Sequence, residues 1–239
     1  MRSSCPYRYL CYRRLFSSAG DSSASAVVLL CRKSSIKIAI FQGRVMAEKA
    51  RSRPQAVLFA RQSPEQAWAT RRSVCVFCGS NEGDDPQFVR AAEGLGAALA
   101  REGLGLVYGG GSFGLMGVIA RATIKAGGHV VEIIPASLCS REKPPADLHE
   151  LVITTSMHAR KQTMFDRSSA FVALPGGVGT LDETVEQMTW MSIGHHRKPI
   201  IFLNVAGYWD PILTMFDRMQ ARNFLGRMWR SGLFVAPPR

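Results

Sequence analysis

The stretch AFVALPGGVGTLDETVEQMTW, residues 170–190, passes from an apolar run through a cluster of glycines into a helical pattern. Its beginning has the composition of a buried strand, and from residue 179 the apolar positions recur at helical spacing. Strand, glycine turn and helix form the repeating unit of α/β proteins, in which parallel strands are covered by helices on both faces. The stretch therefore predicts a strand at 170–177 and a helix at 179–194.

The same alternation extends outward from this stretch, from residue 74 to residue 222. Apolar runs predict buried strands, and apolar residues at helical spacing predict the helices between them. The pattern predicts a single α/β domain, residues 73–239, built on a doubly wound, Rossmann-like parallel sheet. The further predicted strands are 74–79, 104–111, 129–135, 150–155 and 199–204, the last of which ends the sheet, and the further helices are 86–102, 114–128, 157–169 and 210–222.

The positive charge of the chain lies almost entirely in its first third. The formal net charge is +12, but residues 1–73 hold 14 Lys and Arg against 3 Asp and Glu, whereas the remainder holds 16 against 15. The predicted domain is therefore nearly neutral, and its charge gives no support for nucleic-acid binding. No apolar run reaches the ~20 residues that span a bilayer, so we expect no membrane partner either.

Residues 1–72 are expected to be a disordered extension outside the domain. Their beginning is rich in Arg and Ser and has no acidic residue before Asp21, as in organelle transit peptides. The competing interpretation, which we favour, is upstream sequence translated from a start codon placed too early, with Met46 as an internal start. It predicts a cytoplasmic location, whereas a transit peptide at 1–45 would predict an organelle.

Cys75 and Cys78 have the CxxC spacing of redox and zinc pairs, but both fall in or beside the predicted strand 74–79. Neighbouring side chains of a strand point to opposite faces, so residues three apart do not meet. We therefore expect two buried thiols, no metal site and a reducing compartment.

The loop GGGSFG, residues 109–114, follows a predicted strand and matches the G-x-G-x-x-G pattern of dinucleotide sites. Such sites also need an acidic residue at the end of the next strand, whereas Glu132 lies in the middle of that strand. We therefore favour a phosphate monoester over a dinucleotide, bound by backbone amides at the start of a helix. The candidate phosphate contacts in this loop are Gly110, Gly111 and Ser112.

The second glycine loop, PGGVGT at residues 175–180, admits two interpretations. Thr180 and Glu183 have the spacing of a capping box, with Thr as the N-cap of the helix and Glu at its third position. A capping box leaves the three glycines unexplained, because one glycine would close such a turn. We favour a loop that lets a phosphate approach the backbone. Its contacts would be Gly176, Gly177, Gly179 and Thr180.

Arg160 and Lys161 lie near the start of the predicted helix 157–169, where positive charge opposes the helix dipole. A solvated surface is the usual place for such residues. A bound anion would also account for them, so Arg160 is a candidate for holding a phosphate or polarising a leaving group. No spacing in the sequence indicates a Ser-His-Asp or Cys-His set, and a lone His158 is more often structural than a base.

PGGVGTLDE (175–183), taken together with MHARK (157–161), resembles the "lonely guy" family of cytokinin riboside 5′-monophosphate phosphoribohydrolases. The family pattern P-G-G-x-G-T-x-x-E is matched in full. CVFCGS, VYGGGSFGLMG, IIP and LNVAGYWDP are supporting matches, and the resemblance covers residues 74–222. Bacterial members of this family are often mislabelled lysine decarboxylases.

The resemblance implies an enzyme that hydrolyses the N-glycosidic bond of a nucleoside 5′-monophosphate to a free base and ribose 5-phosphate, and we expect no cofactor. The catalytic Arg and Glu of the family would correspond to Arg160 and Glu183, and its substrate contacts to Glu142, Lys161 and the 176–180 loop. Members are usually homodimers with the site near the subunit interface. Related chains continue with a further helix that the ending GRMWRSGLFVAPPR lacks, so we expect the domain without its last C-terminal helix.

The implied reaction assigns a task to each charged group. Cleavage at C1′ builds positive charge on the ribose, and we expect Glu183, in the first turn of its helix where the dipole favours a carboxylate, to stabilise that charge or orient water.

Three alternatives remain: an AMP nucleosidase of purine salvage, a protein that binds a nucleotide without hydrolysing it, and a lysine decarboxylase. The last would need a reactive lysine for pyridoxal phosphate. None of the candidates, Lys125, Lys143, Lys161 and Lys198, has a convincing setting.

Overall fold

A computed structural model of the chain has the α/β architecture that the sequence predicts. It describes residues 25–32, 35–42, 72–140, 144–145, 147–226 and 232–236. The strands in these ranges are β1 (Ser25–Arg32), β2 (Ser35–Gln42), β3 (Ser73–Phe77), β4 (Gly105–Tyr108), β5 (Val130–Pro135), β6 (Glu150–Thr154), β7 (Ala170–Ala173), β8 (Ile200–Leu203) and β9 (Leu233–Ala236). The helices are α1 (Pro86–Arg101), α2 (Gly114–Lys125), α3 (Met157–Asp166), α4 (Val178–Ser192) and α5 (Asp210–Ala221). None of these helices combines the length and the apolar composition needed to cross a bilayer.

Strands β3 to β9 form one sheet in the order β6-β5-β4-β3-β7-β8-β9, and every neighbouring pair is parallel. From β3 the chain winds outward to β6, returns to β7 beside β3, and winds outward again on the other side. The strand order therefore reverses between β3 and β7. Ligands of open α/β sheets bind outside the carboxyl ends of the strands at such a point.

Two layers of buried side chains cover the two faces of the sheet. On one face α1 and α2 pack through residues such as Leu95 and Ile119, and on the other α4 and α5 pack through residues such as Met188 and Phe216. The strands are buried on both faces, as their nearly continuous apolar runs predict.

Cys75 and Cys78 belong to different layers of this core, which confirms that their side chains point to opposite faces. Both thiols are free and buried. Burial raises the pKa of each thiol above its ordinary value, so neither is present as the reactive thiolate near neutral pH.

Strand β9 is the strand of the seven-stranded sheet that the sequence pattern did not predict. It extends the sheet beyond β8, with Ile200 opposite Leu233 and Leu203 opposite Ala236. The prediction that 199–204 is the last strand is therefore wrong. Its four residues form a short apolar run that no helical pattern follows, so the alternation of strand and helix that predicted the other strands does not mark it. The expected absence of a further C-terminal helix stays a prediction.

Two strands lie within the predicted extension. β1 and β2 pair antiparallel, from Ser25 opposite Gln42 to Arg32 opposite Ser35, and form a sheet of their own that is separate from the seven-stranded sheet. The rest of the extension, 1–24, 33–34 and 43–71, lies outside the described residues. A disordered extension at 1–72, outside the domain, stays a prediction.

Candidate active site

The two glycine loops meet at the carboxyl ends of the central strands. The Gly79 amide, just after β3, donates a hydrogen bond of 3.0 Å to the carbonyl of Pro175, just after β7. The carbonyl of Gly79 accepts a bond of 3.4 Å from the amide of Met116, in the first turn of α2. Gly79 therefore links the 175–180 loop to the helix that follows the 109–114 loop, at the point where the strand order reverses.

The three glycines of the 175–180 loop have different surroundings. A Cβ on Gly176 would collide with the side chain of Thr180 and lie 2.7 Å from the Gly79 nitrogen, so the packing of the protein itself requires glycine here. A Cβ on Gly177 or Gly179 would meet no atom within 4 Å, and both residues are exposed. The loop therefore leaves open space beside the start of α4, where a ligand can approach the backbone.

The capping box, the interpretation of Thr180 and Glu183 that we did not favour, is not formed. The helix begins at Val178 with Gly177 as its N-cap, and no side chain caps it in the part of the chain that the structure describes. Thr180 is instead a buried residue inside the first turn, packed against Gly176. Glycine is itself an accepted N-cap, and an N-cap without a side-chain acceptor leaves backbone N–H groups to be satisfied by water or a ligand.

Because α4 begins at Val178, Glu183 lies outside the first turn of the helix, in which the sequence analysis had placed it. It is the sixth residue of α4, and no acidic residue lies in the first turn. The influence of the helix dipole falls off within that turn, so the expected stabilisation of the carboxylate by the dipole is small.

The 109–114 loop is shaped by two buried charged side chains. A Cβ on Gly109 would collide with the guanidinium of Arg160, and one on Gly110 would lie 2.9 Å from Oε1 of Glu132. Gly110 also has a φ of 96°, a conformation that favours glycine. The amide of Gly111 points to the same Glu132 oxygen at 3.4 Å. This loop therefore needs its glycines for close contact with the protein, apart from any ligand.

Arg160 joins three parts of the site. Its Nε donates to the carbonyl of Ile133 at 3.2 Å, its Nη2 donates to the carbonyl of Gly109 at 3.2 Å, and its Nη1 donates to Oε1 of Glu183 at 2.8 Å. The residue is buried, and the guanidinium points inward between β5, the 109–114 loop and α4. The sequence singled out Arg160 for its place at a helix start, and the structure shows that it is fixed in position by acceptors from three elements.

Glu183 and Arg160 form an ion pair with little exposure to solvent, since their side chains are 12% and 9% exposed. Burial raises the pKa of the Glu183 carboxyl above its ordinary value, and the charge and hydrogen bond of Arg160 oppose that rise without cancelling it. A carboxylate with a raised pKa is a stronger base than an exposed carboxylate, a property that suits proton transfer.

Lys161 has two acidic partners on α4, although its own helix offers it none. Its Nζ lies 3.2 Å from Oδ2 of Asp182 and 3.0 Å from Oε1 of Glu186. Burial alone would lower the pKa of Lys161, but the hydrogen bonds and charges of Glu186 and Asp182 outweigh it, so the pKa is raised. Lys161 therefore keeps its positive charge at the edge of the site.

Sequence reasoning missed several residues that support these loops. Glu132 was considered as the acid of a dinucleotide site and set aside, although a lone charge in an apolar strand is itself a signal. Asp182 and Glu186 are four residues apart on the helix that carries Glu183, a spacing that places them on one face. Tyr208, whose hydroxyl donates to the carbonyl of Gly176 at 2.7 Å, lies in the supporting match LNVAGYWDP, but the sequence assigned it no role.

Other candidates lie elsewhere. Glu142 falls outside the described residues. His158 is exposed near the start of α3, whereas His196 is buried in the loop after α4 and bonds to the carbonyl of Gln187 at 3.0 Å. Within the described ranges, no group of three or more His, Cys, Asp or Glu side chains is arranged to hold a metal ion.

The family model described as possible lysine decarboxylase matches residues 116–238. Relatives with curated names carry a different description. The probable cytokinin riboside 5′-monophosphate phosphoribohydrolase LOGL1 of Oryza sativa subsp. japonica is 46% identical over 164 residues, which make up 69% of this chain and 74% of that protein. The cytokinin riboside 5′-monophosphate phosphoribohydrolase LOG7 of Arabidopsis thaliana is 42% identical over 173 residues, 72% of this chain and 80% of that protein.

Solved structures share the fold. The molybdenum cofactor carrier protein of Chlamydomonas reinhardtii superposes with a TM-score of 0.55 at 20% identity, covering 70% of this chain and 91% of that one. The molybdenum cofactor binding protein of Rippkaea orientalis superposes with a TM-score of 0.53 at 22% identity, covering 71% and 91%. At this level of identity the likeness is one of architecture alone.

Proposed function

The chain belongs to the family of cytokinin riboside 5′-monophosphate phosphoribohydrolases, and we propose that it hydrolyses the N-glycosidic bond of an adenosine 5′-monophosphate. The products are ribose 5-phosphate and the free base, which is an active cytokinin when the substrate is prenylated at N6. One observation carries the proposal. The buried ion pair of Arg160 and Glu183, 2.8 Å apart, lies beside two glycine loops at the reversal point of the sheet.

The phosphate of the substrate binds at the glycine loops. The uncapped start of α4 offers backbone N–H groups and the positive end of a helix dipole, both of which favour an anion. The open space beside Gly177 and Gly179 gives a phosphate access to that helix start. The remaining contacts in the proposal are Gly110, Gly111, Ser112, Gly176 and Thr180.

Glu183 acts on the ribose. As the bond between C1′ and the base breaks, its electron pair leaves with the base and positive charge develops on the sugar. A carboxylate beside the ring stabilises that charge and accepts a proton from the water that attacks C1′. The raised pKa of Glu183 suits the proton transfer, because the group is a stronger base than an exposed carboxylate.

Arg160 positions other groups of the site, and Lys161 contacts the substrate. Arg160 fixes the orientation of Glu183 and, through the carbonyl of Gly109, the position of the 109–114 loop. The resemblance to the family implies substrate contacts at Lys161 and Glu142, and we propose that role for both residues. Lys161 enters that role with its charge maintained by Asp182 and Glu186.

The proposal includes a homodimer in the cytoplasm. Large apolar side chains are exposed around the loops of the site, among them Phe113 at 71% and Val178 at 88%. An exposed apolar edge of this kind is what a subunit interface near the site would cover. Light scattering coupled to gel filtration tests the dimer by its mass, and a fluorescent fusion of the full chain tests the location.

Lysine decarboxylation, the activity in the description of the family model, fits the lysines poorly. A lysine that forms a Schiff base needs a lowered pKa, whereas the pKa of Lys161 is raised. Burial lowers the pKa of Lys198, but its Nζ donates to the carbonyl of Phe165 at 2.6 Å. Lys198 also precedes β8 and so lies at the amino end of the sheet, opposite to the glycine loops.

The test is an incubation of the full chain with AMP and, separately, with isopentenyladenosine 5′-monophosphate. Free base and ribose 5-phosphate are measured by chromatography for the wild type, for Glu183→Gln and for the control Glu93→Gln, which changes an exposed carboxylate on α1. We expect equimolar products from the wild type and the control, and a rate lower by about 10²-fold or more in Glu183→Gln.

The two rates of the wild type decide between a cytokinin-releasing enzyme and an AMP nucleosidase. Binding of both nucleotides without release of base would support a protein that binds a nucleotide without hydrolysing it, and would refute the proposed hydrolysis. A Glu183→Gln variant with the rate of the wild type would remove Glu183 from the mechanism. Carbon dioxide released from lysine by the same preparation would favour the decarboxylase.

A further inference from the structure

Glu132 is a buried carboxylate that the proposed mechanism does not use. It lies in the middle of β5, with no exposure to solvent, among apolar neighbours on the same strand. Burying a carboxylate is costly unless hydrogen bonds compensate for the lost water. The contacts of Glu132 therefore indicate what the residue does.

Both oxygens of Glu132 face the strand and loop that precede α2. The hydroxyl of Tyr108, the last residue of β4, donates to Oε2 at 2.6 Å, and the amide of Gly111 points to Oε1 at 3.4 Å. The backbone at Gly110 packs so closely on the carboxylate that a Cβ there would lie 2.9 Å from Oε1. The 109–114 loop thus rests on the Glu132 side chain.

Ile133, the residue after Glu132, supports the same loop through Arg160. The carbonyl of Ile133 accepts from Nε of Arg160, whose Nη2 donates to the carbonyl of Gly109. The loop is therefore held at its first residue by Arg160 and at its third by Glu132, and both attachments are anchored on β5. A change at Glu132 would move the loop while leaving the bond between Arg160 and Glu183 in place.

We infer that Glu132 is a positioning residue that sets the 109–114 loop for the phosphate of the substrate. The inference rests on the proposed function, since it concerns the same site. Glu132 does not touch the substrate, because the loop lies between them. It acts on the part of the site that binds the phosphate and not on the group that reacts at C1′. Its loss should therefore weaken binding of phosphate and leave the chemical step nearly unchanged.

The test compares Glu132→Gln, Tyr108→Phe and the double variant with the wild type, all as the full chain. Glutamine keeps the size of the side chain and removes the charge, and phenylalanine removes only the hydroxyl that donates to it. We expect KM for AMP to rise about tenfold and kcat to stay within about threefold, because only binding of the phosphate is weakened. The double variant should be no worse than the more affected single variant, because Glu132→Gln weakens and Tyr108→Phe removes the same hydrogen bond.

A second measurement separates positioning from general damage to the fold. Titration calorimetry with ribose 5-phosphate should show the same loss of affinity as KM, whereas the affinity for adenine should not change. The control is Thr123→Val, which removes a buried hydroxyl bonded to the carbonyl of Ile119 in α2, away from the loop. It should lower the melting temperature without changing the affinity for ribose 5-phosphate.

The outcomes distinguish this inference from the proposed function. Variants that fold, hydrolyse AMP and keep the affinity of the wild type for ribose 5-phosphate would overturn the role of Glu132 and leave the function standing. A wild type that binds ribose 5-phosphate but hydrolyses no nucleotide would overturn the function, and the loss of affinity in Glu132→Gln would still support the inference. A wild type that neither binds ribose 5-phosphate nor hydrolyses a nucleotide would overturn both.

Discussion

The ionised carboxylate of Glu183 suits the proposed reaction, but burial of its charge lowers the stability of the folded protein. Its pKa in the folded protein is raised by burial, so the native state holds this proton more tightly than the unfolded chain does. The contribution of the group to stability is therefore fully present below the unfolded-state pKa of about 4.3 and is lost as pH rises through the raised folded-state pKa. Above that pH range the folded protein holds the carboxylate less favourably than the unfolded chain does, because burial outweighs the attraction of Arg160.

The Glu183→Gln variant should consequently lose activity without losing stability. We expect its melting temperature to match that of the wild type near pH 4, to exceed it as pH rises through the raised folded-state pKa of Glu183, and to exceed it by a constant amount above that pKa, because glutamine carries no charge to desolvate. Thermal unfolding followed by circular dichroism across this range is the measurement. Glu93→Gln, at an exposed position on α1, should show no such divergence. A variant that becomes less stable than the wild type at high pH would mean that the attraction of Arg160 outweighs the desolvation.

Ala206 has a backbone conformation that favours glycine. It has a φ of 51° and a ψ of 28°, in the left-handed region, inside the short turn Val205–Gly207. This conformation costs a residue with a Cβ about 1–2 kcal/mol, and Ala206 is exposed, so its methyl group contributes little packing. Ala206→Gly should raise the free energy of unfolding in urea by up to about 1 kcal/mol after the greater entropy of the unfolded chain is subtracted. Ala97→Gly, inside α1, should lower it by about 1 kcal/mol. A loss of stability in Ala206→Gly would contradict the assigned strain.

At the scale of elements, the contact of α1 with α2 depends on one of two neighbouring glycines. A Cβ on Gly96 would lie 2.8 Å from both the carbonyl of Ile119 and Oγ1 of Thr123, whereas a Cβ on Gly94 would meet no atom within 4 Å. Both glycines are inside the same helix. Gly94→Ala should therefore stabilise the protein by about 1 kcal/mol through helix propensity alone.

Gly96→Ala should instead destabilise it by about 1–3 kcal/mol, because α2 must move away or deform. Chemical denaturation of the pair provides the measurement, and each variant is the control for the other. Equal and positive effects of the two substitutions would show that α2 does not pack closely at Gly96.

The helices and strands could be predicted where the residues of the element itself carry the pattern. α1 begins at Pro86 as predicted, and each predicted strand is found within a few residues of its expected bounds. The spacing of Thr180 and Glu183 also fits a capping box, which does not form because Gly177, and not Thr180, is the N-cap of α4. β9 was missed because no helical pattern follows its short apolar run, whereas the alternation of strand and helix marked the other strands.

At the scale of the whole molecule, the site exists only because the strand order reverses between β3 and β7. That topology brings Arg160 to Gly109, 51 residues before it, and to Glu183, 23 residues after it. The sequence indicated which residues carry chemistry, because glycines, an arginine and a glutamate stand out at predicted strand ends and helix starts. It did not indicate which of them pair, since each contact joins elements that are distant along the chain and meet only in the folded sheet.

The edge strand β9 is expected to contribute to the stability of the whole sheet. It bonds to β8 at both ends, through Gly232 to the amide of Ile200 and through Ala236 to the amide of Asn204, at 2.8 and 3.0 Å. Leu233 and Val235 also pack against the core layer formed with α4 and α5. Removal of residues 227–239 should therefore lower the free energy of unfolding by about 3 kcal/mol, from the apolar burial that is lost.

The same deletion would leave β8 as an unpaired edge, so the shortened chain should also aggregate with increasing concentration. Urea denaturation and light scattering measure the two effects, and Phe234→Ala, at a side chain that is 39% exposed, should show only a small loss of stability. Because β9 lies two strands away from β7, the folded fraction of the shortened chain should keep the KM of the full chain for its nucleotide. An unchanged unfolding midpoint would mean that β8 forms the edge of the sheet in solution, and a raised KM would mean that β9 supports the site from a distance.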